Sequence, residues 1–186
     1  DLQTAASAVR AVSAEAGREA ARTVEQIADA LRRLETAHDA HALTHSLHHL
    51  AADERWGEPD DRRSRARAQV WRAAENQLPR LESAFREQAL PAAADAVGRV
   101  RSLPETARAR EEMVYRSRAV AGRANVADEI RAAADAMSEA AQQAQAAATE
   151  TRSWLAALAP SLPARFAAAR DDVRRAREAA QSAVRA

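Results

Sequence analysis

Apolar residues recur along this chain at alternating steps of three and four positions, the period of an amphipathic α-helix rather than of a β-strand. The first such run extends from Leu2 to about Trp56, with no proline and a single glycine, Gly17, inside it. Four residues mark a heptad seam within the run, namely Val24, Ile27, Leu31 and Leu34. The pattern therefore predicts one very long first helix over residues 2–56, with this seam facing another helix.

All five histidines of the chain lie between residues 38 and 49, in the last third of that helix. Continuing the heptad steps places four of them on the seam, namely His38, His41, His45 and His48. His49 lies beside them. Leu43, Leu47 and Leu50 lie on nearly the opposite side of the same helix. Two arrangements are possible, because either the leucine face is buried and the imidazoles contact water, or the helix is packed on both faces and the histidines are buried.

A second helix is predicted over residues 60–98. Its seam consists of Trp71, Ala74, Leu78, Leu81 and Phe85. Pro79 and Pro91 lie inside this span, and each lacks an amide hydrogen and crowds the preceding turn. We therefore expect bends near both prolines.

Two further helices complete the predicted set. Ser102 and Glu105 have the spacing of a capping box, so a third helix is expected over residues 103–158. Its seam is mostly alanine and comprises Val120, Ala127, Ile130, Ala134, Met137, Ala141, Ala144, Ala148, Leu155 and Leu158. Pro160 should end that helix, and Ser161 can cap a last helix over residues 162–185.

These elements predict an all-α fold: an elongated antiparallel helical bundle or coiled coil of about four helices, of which the first and third are very long. Residues 1–186 are expected to form a single elongated domain. Because the chain begins with Asp1, we expect it to be part of a longer protein. Surface ion pairs four residues apart are expected for Asp29 with Arg33, Glu82 with Arg86, Glu112 with Arg116 and Asp171 with Arg175.

The composition narrows the function classes. The chain contains 53 alanines and 28 arginines but no lysine, and its formal net charge is +1. With charges so balanced, no field attracts nucleic acid, and no nucleic-acid partner is expected. The absence of cysteine excludes disulfides and thiolate metal sites. The longest strongly apolar stretch, residues 154–160, is far shorter than the ~18 residues of a membrane span.

The densest basic run comprises Arg62, Arg63, Arg65 and Arg67. It could contact phosphates, but acidic residues come immediately before it, at Glu58, Asp60 and Asp61. We interpret the run as the solvated start of the second helix, because no motif that reads a nucleic-acid groove accompanies it.

The histidines carry the only chemistry that the sequence singles out. Spacing of three or four residues on a helix brings imidazoles together, so His38, His41, His45, His48 and His49 are candidate ligands for a divalent transition metal such as zinc, nickel or copper. Glu35 and Asp39 could add oxygen ligands. The preferred interpretation is nevertheless a polar stretch of the seam that binds no ion, so no metal or cofactor is predicted. The metal site is one alternative, and the other is a pH switch in which charged histidines repel one another and loosen the packing.

No catalytic or cofactor-binding residues are predicted, because the chain contains no phosphate-binding loop and no nucleophile motif. The leading hypothesis is a non-enzymatic structural or interaction module, such as a stalk, spacer or scaffold, that pairs with partner helices or with itself. One alternative is an extracytoplasmic helical sensor or ligand-binding domain. Another is a metal-binding or pH-responsive helical protein that acts through the histidine cluster.

Overall fold

The computed structural model describes the backbone of residues 2–53, 61–117 and 120–185, and the side chains of residues 3–4, 6–53, 64–116 and 125–182. Six α-helices and one 3₁₀ turn lie within this part of the chain, and it contains no strand. The helices are α1 (Leu2–Ala51), α2 (Asp61–Glu87), α3 (Pro91–Val100), α4 (Leu103–Ser117), α5 (Val120–Leu158) and α6 (Leu162–Arg185). The predicted all-α bundle, with two long helices, is confirmed.

The two prolines of the second predicted helix have different effects. Pro79 lies inside α2, whereas Pro91 is the first residue of the separate helix α3. Between them, α2 ends in a Schellman motif, in which the Leu90 amide donates to the Phe85 carbonyl (2.8 Å) and the Ala89 amide donates to the Arg86 carbonyl (3.1 Å). Ala89 has a φ of 56°, a left-handed conformation that usually selects glycine.

The ends of the other helices differ in part from expectation. The expected turn near Trp56 and the junction at residues 118–119 lie outside the described residues. Pro160 does not reverse the chain: α5 and α6 are joined by one 3₁₀ turn, Ala159–Ser161, with helical backbone angles at Leu158 and Leu162 on either side. The Ser161 hydroxyl donates to the Leu158 carbonyl (2.8 Å), so it bonds backwards along the chain instead of capping α6.

The chain divides into two compact units. The central unit is Arg33–Thr149, and the flanking unit combines Asp1–Arg32 with Glu150–Ala186. The largest fully buried side chains all belong to the central unit and include Trp71, Phe85, Leu43, Leu47, Leu78, Ile130 and Met137. One connected apolar core therefore joins α1, α2, α3, α4 and α5 within residues 33–149.

The seam predicted for the second helix matches this core. Trp71, Ala74, Leu78, Leu81 and Phe85 are all buried. On α5, the alanines at 134, 141, 144 and 148 are buried as predicted, whereas Ala127 is half-buried. Because alanine has no bulk beyond Cβ, the neighbouring backbones approach closely, and each buried position removes little apolar area from water.

The seam predicted for the first helix is not the buried face of α1 within this chain. Val24 and Leu31 are 62% and 55% exposed, and Ile27 and Leu34 are only half-buried. Heptad spacing correctly placed these residues near one side of α1, but it could not determine which side would meet another helix. The buried face in the central unit instead runs through Ala37, Ala40, Leu43, Leu47 and Leu50.

Ion pairs follow the predicted helical spacing only in part. Arg86 pairs with Glu82 (2.6 Å), whose buried carboxylate also lies 3.6 Å from Arg101. On the surface, Arg116 pairs with Glu112. Asp29 pairs with Arg32 instead of Arg33, while Asp171 pairs with Arg174 and Asp172 with Arg175. The Asp172 carboxylate, which accepts a hydrogen bond from Arg175, raises the pKa of that guanidinium further above its usual value. Exposed pairs of this kind contribute little stability.

Candidate functional site

The histidine cluster lies on the exposed side of α1. The side chains of His38, His41, His45, His48 and His49 are all exposed, whereas Leu43, Leu47 and Leu50 are buried. The buried hydroxyl of Thr44, between these two faces, donates to the Ala40 carbonyl (2.8 Å). Of the two arrangements that the sequence allows, α1 therefore adopts the one with a leucine core and histidines in contact with water.

Two clefts border the histidines within the central unit. His41, His45 and His48 line a cleft of about 520 Å³ whose other wall is α5, with Ser138, Gln142 and Gln145. His45 and His49 line a smaller cleft of about 330 Å³ together with Leu50, Asp53, Arg67 and Val70. The rings of His45 and His49 contact each other edge to face, with their centroids 5.1 Å apart. His45 therefore belongs to both clefts.

The described residues contain no group of three or more His, Asp or Glu side chains placed to hold one metal ion. Glu35 and Asp39, which the sequence suggested as oxygen ligands, lie on the same helix, but the structure does not bring them together with the imidazoles as such a group. The geometry that remains for metal chemistry is pairs of imidazoles along one helix.

Arg67 forms a buried ionic cluster that connects three parts of the chain. Its side chain is 5% exposed; its Nη1 atom lies 3.1 Å from Asp53 Oδ2 and its Nε atom 2.5 Å from Glu111 Oε1. Asp53 follows α1, Arg67 lies on α2 and Glu111 on α4. A guanidinium shared between two carboxylates in this way fixes the three segments against one another.

The basic run at the start of α2 is therefore not entirely solvated. Arg67, its last member, is buried, Arg65 is exposed, and the side chains of Arg62 and Arg63 lie outside the described residues. Sequence reasoning missed the role of Arg67 because its acidic partners are 14 and 44 residues away. No local spacing signals such a pair.

Trp71 lies beside this cluster on α2 and is almost fully buried. Its indole Nε1 has no hydrogen-bond acceptor among the described side chains and backbone. A shallow cleft of about 380 Å³ next to it is lined by Arg67, Arg108, Glu111 and Tyr115, among others. Arg108 is paired there with Glu75, and Arg67 with Glu111. These arginines are therefore neutralised by carboxylates of the same chain.

The flanking unit has an unusually small core. Among its described side chains only Thr23, Ala30 and Thr151 are buried, while Val24, Leu31, Phe166 and Trp154 are 62%, 55%, 48% and 39% exposed. A groove of about 470 Å³ runs between α1 and α6. Its lining combines apolar residues, among them Val12, Leu162 and Phe166, with the charged residues Glu15, Glu19, Arg165 and Asp172. Large apolar side chains in this unit thus remain in water.

No helix in the described part of the chain is both long enough and apolar enough to cross a membrane. Protein-family models, curated proteins and solved structures were compared with the chain, and none matches it. Its function is therefore inferred from the positions of its own side chains.

Proposed function

We propose that this protein is a non-enzymatic helical interaction module whose flanking unit pairs with the same unit of a second copy. The observation that carries the proposal is the contrast between the two units. The central unit buries Trp71, Phe85 and several leucines, whereas the described part of the flanking unit buries no side chain larger than threonine. Helices in folded proteins gain most of their stability from tertiary packing, so a unit with so small a core is stabilised by a further apolar surface.

The charges near this surface are compatible with pairing between identical chains. Residues 3–32 contain four arginines and four acidic residues, and the two signs are interspersed. Two copies of such a helix do not repel each other, and opposite charges can be matched across the interface. A symmetric pair presents the same patch from both copies, which is the commonest way in which soluble proteins associate.

The expected affinity is modest. Full burial of a Val, Leu or Phe side chain stabilises by about 1.5–3 kcal/mol, so burying the roughly half-exposed Val24, Leu31, Phe166 and Trp154 contributes about 1 kcal/mol for each side chain. Over two copies this is roughly 8 kcal/mol, which is similar to the ~4–15 kcal/mol lost in association. Because the gain from these four side chains alone only balances this loss, association also depends on smaller apolar residues of the flanking unit such as Val12 and Leu162, and we expect it to be weak, at high micromolar concentrations.

Sedimentation velocity of the full chain between about 1 and 200 µM tests the proposal. We expect the sedimentation coefficient to rise with concentration and Leu31→Glu to abolish the rise. Gln26→Glu is the matched control: it adds the same charge at an exposed position about 140° around α1 from Leu31, and it should associate like the wild type.

Hydrogen exchange on the same samples makes the outcome decisive. Amides of residues 6–32 and 150–182 should exchange faster than core amides of the central unit at low concentration and should gain protection as the protein associates. A chain that stays monomeric over the whole range, with both units equally protected, would refute the proposal, because the flanking unit would then be stable without a partner.

A further inference from the structure

The contact between His45 and His49 has the dimensions of a metal chelate. We propose that these two residues together bind one divalent transition-metal ion, of the Zn²⁺, Ni²⁺ or Cu²⁺ class, on the exposed side of α1. They are one helical turn apart, and their ring centroids are 5.1 Å apart. Two imidazoles that each hold the same ion at about 2.0–2.1 Å, with a tetrahedral angle between them, have centroids roughly 5 Å apart. The two rings now meet edge to face, so binding requires them to rotate about their side-chain bonds until one nitrogen of each ring faces the ion.

The site is accessible and has room for the remaining ligands of the ion. Both imidazoles are exposed, so an ion can approach without opening the core. They line the cleft of about 330 Å³ at the end of α1, where water molecules can complete the coordination. Neutral imidazole suits zinc, nickel and copper and does not suit magnesium or calcium, which prefer oxygen.

The described carboxylate that lines this cleft is engaged elsewhere. Asp53 lines the same cleft, but its Oδ2 accepts a hydrogen bond from Arg67 at 3.1 Å. Among the described residues the site therefore has two donors, which leaves coordination positions for water or solutes. An ion held by two donors binds weakly compared with a closed four-ligand site, and its open positions could be taken by a donor from another molecule.

Other pairs of histidines also have a spacing that suits a chelate, but a site at those pairs would respond differently to substitution. His41 and His45 are also four residues apart, and both line the larger cleft against α5. The ring contact that the structure records is nevertheless the one between His45 and His49. Loss of His49 should therefore weaken binding, whereas loss of His38, which is exposed and more distant on the same helix, should not.

Isothermal titration of NiCl₂ into the full chain, prepared without a histidine tag and in a non-coordinating buffer, tests the site. We expect one ion per chain and at least a tenfold weaker affinity for His49→Ala. The matched control His38→Ala should bind like the wild type. Circular dichroism of both variants should be unchanged, because each truncates an exposed side chain.

Three outcomes would overturn the proposal: wild-type affinity in His49→Ala, an equal loss in both variants, or several ions bound per chain with no effect of either substitution. If His41→Ala weakens binding and His49→Ala does not, the chelate lies in the larger cleft and the assignment to His45 and His49 is wrong. The titration is repeated in the Leu31→Glu variant at low micromolar concentration. A failure of the proposed self-association therefore leaves this test unaffected.

Discussion

Replacing Arg67 by methionine should destabilise the central unit by about 2–4 kcal/mol. The side chain of Arg67 is 5% exposed, and those of its partners Asp53 and Glu111 are 22% and 19% exposed. Methionine keeps much of the apolar stem of arginine, but it removes two charge-assisted hydrogen bonds, each worth about 1.5–3 kcal/mol. Breaking a fully buried ion pair costs about 3–5 kcal/mol. The value here should be at the low end because water can reach both carboxylates.

A second variant distinguishes the loss of the ionic attraction from the free-energy cost of leaving buried carboxylates unpaired. Combining Arg67→Met with Asp53→Asn and Glu111→Gln removes all three charges and leaves no carboxylate without its counter-ion. Because uncompensated charge accounts for most of the expected loss, the triple variant should recover at least half of the stability lost by the single one. Arg67→Lys is a further control, since it keeps the charge but loses the planar fork that serves two carboxylates at once.

Urea unfolding followed by far-UV circular dichroism and by tryptophan fluorescence measures these effects. Coincident transitions from the two probes are required before a single free energy of unfolding is assigned. The midpoint should fall for Arg67→Met while the slope stays constant. A change below about 0.5 kcal/mol, the usual size for a surface substitution, would show that the cluster does not hold the three segments together. A triple variant no more stable than the single one would show that unpaired carboxylates are not the cause.

Three further predictions concern backbone strain and the direction of α1. Ala89→Gly should stabilise by about 0.5–1 kcal/mol, because relief of the left-handed conformation outweighs the added freedom of the unfolded chain. The control Ala132→Gly, at an exposed position inside α5, should destabilise by a similar amount in the same urea assay. A change in the free energy of unfolding with the same sign in both variants would contradict this prediction. Gly17→Ala should raise the melting temperature and slow amide exchange around residue 17. The added methyl group meets nothing within 4 Å apart from the neighbouring backbone of its own helix, and glycine inside a helix costs roughly 0.5–1 kcal/mol. Faster exchange would count against this prediction. Leu47→Ala should cost about 2–5 kcal/mol and His48→Ala less than about 0.5 kcal/mol in thermal unfolding, and a reversed order would mean that the histidine face is the core.

The predictable part of the fold is the part with bulky, regularly spaced apolar residues. Trp71, Leu78 and Phe85 recur every seven residues, and all three are buried. Tertiary packing reinforced the local pattern there. Val24 and Leu31 show the same spacing but are exposed, because a helical period reports that residues share a face and carries no information about which face meets a neighbour.

In the candidate sites, too, the sequence predicts only what depends on neighbouring residues. The histidines could be identified as unusual from the sequence, since all five lie within one short stretch of a helix. Their exposure depends on where α5 packs, which is a non-local property. Arg67 is a further case, because its partners Asp53 and Glu111 are remote in sequence. The end of α2 was unpredictable for a local reason: Ala89 occupies a left-handed position without the glycine that normally announces it.

The way in which the two units are interleaved in the sequence has a consequence for folding during synthesis. The central unit is one uninterrupted segment, Arg33–Thr149, whereas the flanking unit requires segments that lie on both sides of it. The ribosome therefore finishes the segment of the central unit before it makes residues 150–186, and that segment leaves the exit tunnel first. Once the central unit has folded, it closes the long intervening loop, and the entropy lost in bringing the flanking segments together falls accordingly. Folding in the order of synthesis thus favours formation of the central unit first. Residues 6–32 can complete the flanking unit only after the last helix has emerged.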